Sequence, residues 1–67
     1  MSAIEMHDHL QQLHVERALA LIEGLEDNAA YMADLDDEIA ATRFAYVGAA
    51  MTEIASLRAE LSGPQHG

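Results

Sequence analysis

The chain has 67 residues, no cysteine, 12 acidic side chains against three basic ones, and a formal net charge of -9. So short a chain forms at most one small domain, and it buries only about 60% of the surface that it exposes when unfolded. The charge excludes binding nucleic acid through phosphates or docking on an anionic membrane surface, both of which need clustered Lys and Arg. With disulfides and cysteine-based zinc sites unavailable to it, self-association is the expected route to stability. No apolar run approaches the roughly 20 residues that span a bilayer, and the first five residues lack the positive charge and apolar core of a signal peptide. A cytoplasmic protein without a cofactor is expected.

Alanine, leucine and glutamate dominate, aromatic residues are few, and the single proline is Pro64. This composition favours helix throughout. Ser2-Ala3-Ile4-Glu5 has the form of a capping box, in which a hydroxyl and a carboxylate satisfy free backbone N–H groups reciprocally. It predicts a first helix over about 3–26. Advancing about 100° per residue places Ile4, Leu10, Val15, Ala18, Leu21, Ile22 and Leu25 on one broad face. Glu5, His9, Gln12, Glu16 and Glu23 fall opposite.

Residues 24–28 are the only internal cluster of weak helix formers, and Asp27 or Asn28 can cap a following helix. They predict a turn at about 26–28 and a second helix over about 29–62, with its apolar stripe on Met32, Leu35, Ile39, Tyr46, Ala50, Ile54, Leu57 and Leu61. Ser62-Gly63-Pro64 reads as a stop, with Gly63 suited to a left-handed cap and residues 63–67 a flexible tail. The expected fold is all-α: a single domain over 1–62, an antiparallel two-helix hairpin pairing into a homodimeric four-helix bundle. One rival is a single long coiled-coil helix, because Ala18, Leu21, Leu25, Asn28, Met32, Leu35 and Ile39 keep unbroken 3-4 spacing through the turn.

In the hairpin, about 23 residues face about 34, leaving some 16 Å of overhang at 1.5 Å per residue. The overhang carries Ile54, Leu57 and Leu61. Together with Leu35, Ile39, Tyr46 and Ala50 they form the expected oligomer interface, with a second copy of the chain as the partner.

Three groups of side chains bear on chemistry. His7, Gln11 and His14 recur at spacings of four and three on the apolar face, and the hairpin brings Arg43 opposite Gln11, with Thr42 and Tyr46 nearby. Such a polar layer either fixes register and oligomer state or binds a small ligand or metal ion. No Glu-x-x-His or His-Glu-x-x-His spacing accompanies it, so the structural role is preferred and no metal site is assigned. Asp34, Asp36, Asp37 and Glu38 concentrate negative charge near the turn. They suit a basic protein surface, in the extreme as a decoy that imitates DNA phosphates, although charge runs commonly serve as solvated faces. Arg17, Arg43 and Arg58 border the apolar stripe, where their stems can cover apolar surface, and Arg17 is expected to face Asp36 and Asp37.

No nucleophile–base spacing, phosphate loop or concave scaffold is evident, so the chain reads as a non-enzyme. The leading expectation is a homo-oligomeric interaction or regulatory module.

Overall fold

The computed structural model describes residues 2–63. Two helices, α1 (Ala3–Ile22) and α2 (Ala29–Ser62), are joined by a short 3-10 turn, Leu25–Asp27, and no strand occurs among the described residues. The helices lie antiparallel, as contacts between Arg17 and Asp36 and between Ala3 and Glu53 require.

Both helix starts follow from their caps. The Ser2 hydroxyl accepts the Glu5 N–H at 3.2 Å, while the Glu5 carboxylate accepts the Ser2 N–H at 3.3 Å. This is the expected capping box, satisfying donors that have no partner within the helix. At α2 the Asn28 side-chain oxygen accepts the Tyr31 N–H at 3.1 Å.

The first helix ends at Ile22, four residues before the expected boundary. Gly24 adopts φ +76°, a left-handed conformation that removes it from the helical path. The Gly24 N–H donates to the Leu21 carbonyl at 3.2 Å, and the Asn28 N–H to the Leu25 carbonyl at 2.9 Å. These bonds close the reversal, so the long-helix alternative is overturned. The 3-4 spacing of Leu21, Leu25, Asn28 and Met32 survives only in sequence. At the other end Gly63 has φ -36° rather than a left-handed value, and its N–H donates to the Glu60 carbonyl at 3.4 Å. The rest of the predicted tail lies outside the described residues.

The core is small. Leu10 and Leu13 of α1 meet Leu35 and Ile39 of α2, with Tyr31 packed against them. On α1 the buried and half-buried residues include Met6, Leu10, Leu13, Arg17 and Ala20, a 4-3-4-3 series, with Ala3, His7 and His9 half-buried beside it. On α2 the matching series is Met32, Leu35, Ile39, Thr42, Tyr46 and Ala49. The expected α2 stripe is therefore largely the packed one, whereas that of α1 is rotated. Val15, Ala18, Leu21, Ile22 and Leu25 are exposed, and Leu13 and Ala20 take their place.

The hairpin measures 63 × 16 × 13 Å, with a radius of gyration of 17.6 Å. A compact chain of this length has a radius of about 11 Å, so most of the molecule is a thin rod.

The Cβ that Gly24→Ala adds meets nothing within 4 Å, so its cost is confined to the backbone. The substitution is expected to destabilise the fold by about 1–2 kcal/mol, the penalty of a left-handed L-residue. Urea unfolding of the two proteins under the same conditions checks this, and an unchanged midpoint contradicts the described turn.

Candidate functional site

The hairpin joins one face of each helix and leaves a second apolar series uncovered on both. On α1 the outer series is Ile4, Asp8, Gln11, Val15, Ala18 and Ile22, continuing to Leu25, in alternating steps of four and three. On α2 it is Ala40, Phe44, Val47, Met51 and Ile54, in the same steps. At about 100° per residue, each outer series stands roughly 140° from the inner one, in the same rotational sense. Because the helices are antiparallel, an equal rotation brings both outer series to one side of the hairpin. The exposures are large for apolar side chains: Phe44 84%, Ile22 78%, Ile4 72% and Met51 66%.

At the open end of the hairpin the two series come together. Ile4 of α1 and Ile54 of α2 line one open notch of about 460 Å³, with Ala3, His7, Tyr46, Ala50 and Glu53. The His7 ring lies 5.7 Å from that of Tyr46, tilted by 59°. The Glu53 carboxylate accepts the Ala3 N–H at 2.7 Å. It thereby caps the first turn of α1 from the other helix, a favourable position for negative charge. A smaller depression of about 390 Å³ continues along α2, over Met51, Ile54, Ala55 and Arg58.

Polar pairs flank the joined faces on both sides. His9 Nε2 lies 3.3 Å from Glu38 Oε1. His9 thus belongs to a cross-helix pair rather than to the outer face shared with Glu5 and Glu16. Arg17 Nε donates to Asp36 Oδ1 at 2.7 Å, as expected. This hydrogen bond, and then the carboxylate charge, raises the guanidinium pKa above its ordinary value. Two of the four acids expected to form a partner surface, Asp36 and Glu38, are therefore engaged within the hairpin; Asp34 and Asp37 are exposed.

The expected polar layer is dispersed. His7 is half-buried against Tyr46, whereas Gln11, His14 and Arg43 are exposed, and no hydrogen bond joins the four among the described residues. Nor do three His, Asp or Glu side chains converge on a point that could hold a metal ion among those residues. Of the expected oligomer residues, Leu35 and Ile39 are taken up by the chain's own core, Tyr46 and Ala50 are half-buried, and Ile54, Leu57 and Leu61 are exposed.

The sequence reading missed two features. Phe44, Val47 and Met51 carried a usable signal, their 3-4 spacing with Ile54. Glu53 as a cap for α1 carried none, because it acts across 50 residues and depends on the hairpin register.

No described helix is long and apolar enough to cross a membrane. Comparison with protein-family models, curated proteins and solved structures finds no match for this chain.

Glu5 supplies a pH test of the cap. Its pKa is lowered from the ordinary 4.5, first by the Ser2 backbone N–H and then by the Ser2 hydroxyl. A lowered folded-state pKa gives stability that is present above the unfolded value and lost as pH falls through the folded one. The chain is therefore expected to lose helix stability below about pH 4.5, and Glu5→Gln to remove this part of the loss. Thermal melts of both proteins between neutral and acid pH check it; parallel curves contradict the assignment.

Proposed function

We propose that this chain is a non-enzymatic, self-associating helical module that works through protein–protein contact, as an interaction or regulatory element. The observation that carries the reading is the uncovered apolar face formed by Ile4, Val15 and Ile22 on α1 and by Phe44, Val47, Met51 and Ile54 on α2.

Its extent supports the reading. The chain exposes 5143 Å² at a mass of 7.3 kDa, where a compact monomer of that mass exposes about 4,200 Å². The excess, roughly 1,000 Å² per chain, is of the size that a standard protein interface removes from water. Part of that surface is the exposed apolar series, and exposed apolar patches mark interaction sites. The open notch holds His7, Tyr46 and Glu53, but Glu53 is engaged with the α1 N-terminus and His7 with the Tyr46 ring. The notch therefore fits an apolar side chain better than a reacting substrate.

An acidic decoy for a basic protein is less well supported, since Arg17 and His9 already engage Asp36 and Glu38. Sedimentation equilibrium at micromolar concentration is expected to give a dimer or a larger assembly. A well-folded helical monomer under those conditions contradicts the reading.

A further inference from the structure

Extended by its flanking charges, the outer series of α2 reads Asp37, Ala40, Phe44, Val47, Met51, Ile54, Arg58. It is complementary to its own reverse. Turned end for end about the midpoint of Val47 and Gly48, Asp37 falls opposite Arg58 and Phe44 opposite Met51, with Ala40 one residue out of step beside Ile54. We infer that this stripe binds the same stripe of a second copy, antiparallel, about a two-fold axis passing close to Val47. The inference rests on the self-association proposed above and gives it a face, a direction and a register.

Charge decides the direction. In a chain of net charge -9, Arg58 is the only cation in this series and stands at the overhanging end, while Asp37 stands at the turn end. Antiparallel pairing places each Arg58 beside the partner's Asp37, twice per dimer. Parallel pairing sets Asp37 against Asp37 and Arg58 against Arg58, a like-charge juxtaposition that disfavours that orientation.

Size decides the register. Small Ala40 accommodates Ile54, and the Met51 thioether meets the Phe44 ring, a favourable sulfur–aromatic combination. At the axis Val47 faces the partner's Gly48, and Gly48, with nothing within 4 Å of the position of an added Cβ, allows close approach of the backbones.

The same arrangement sets the height of each copy's overhang against the partner hairpin. The contacts of His7 with Tyr46 and of Arg17 with Asp36 fix which residues of the two helices stand level. By that register Val15 stands level with Glu38, and the partner's Leu57 arrives at the same height. The overhang of each copy thereby runs along the outer face of the other's α2, level in height with Val15 and Ala18 of α1. An isologous contact of this kind repeats each interaction by symmetry and closes at two copies.

The chain has no cysteine, so introduced thiols report unambiguously. Asp37→Cys and Arg58→Cys are made in the full chain, both at exposed positions, and oxidised singly and as an equal mixture. The expected result is a disulfide-linked species in the mixture and none with either variant alone. Cross-linking of each variant with itself indicates a parallel pair and overturns the proposal, as does failure to cross-link in any combination while the unmodified chain is dimeric. An unmodified chain that sediments as a monomer overturns the self-association itself, and the register with it.

In parallel, Asp37→Arg and Arg58→Asp are each expected to weaken dimerisation about three- to tenfold, and the double reversal to restore it. Additive losses in the double variant also contradict the proposal. Far-UV circular dichroism of each variant confirms that the helices are retained.

Discussion

Two helices lying side by side share one interface, and that limit governs everything else about this protein. A helix with a single apolar stripe is satisfied by one neighbour. Both helices here carry two such stripes, roughly 140° apart at about 100° per residue. The hairpin can bury only the inner ones, through Leu10, Leu13, Leu35 and Ile39. What remains is a rod with a core of five buried residues and an apolar side on which Phe44, Met51, Ile4 and Ile22 stand in water. Polar contacts help to set the register of the rod, through Arg17 with Asp36, His9 with Glu38 and Glu53 with the α1 N-terminus. All three lie among exposed groups, where ion pairs contribute little to stability. The balance therefore turns on where the outer stripes go.

The local punctuation of the fold was legible in the sequence. The Ser2–Glu5 box and the Asn28 cap act within three residues of chain, so their chemistry does not depend on what the rest of the molecule does. The start of the packed stripe of α2 was legible for a related reason: Met32, Leu35 and Ile39 precede the outer series, which begins only at Ala40. The first helix was read less well. Its wheel holds two stripes, and treating them as one broad face joined buried Leu10 to exposed Ile4, Val15, Ala18 and Ile22 while omitting Leu13 and Ala20. Periodicity reports that a face is apolar; it does not report which of two apolar faces meets the other helix.

The contacts between the helices were the least legible. Arg17 and Asp36 were anticipated because opposite charges near a known turn leave few arrangements. Glu53 over the α1 N-terminus and His9 beside Glu38 require the register to within a turn. The polar layer of His7, Gln11, His14 and Arg43 failed for the same reason as the α1 stripe, since rotating the helix carries Gln11 and His14 away from the core. The rotation is also informative. It leaves Val15, Ala18 and Ile22 exposed on a second stripe that leans toward the same side of the hairpin as the outer stripe of α2.

Under the function proposed for it, this protein works through contact with another chain, and the first such contact is with its own copy. The most direct test is thermal unfolding followed by far-UV circular dichroism over about a hundredfold range of protein concentration, because association stabilises the native state by mass action. The account predicts a melting temperature that rises with concentration. A cooperative transition whose midpoint is the same at every concentration would contradict it.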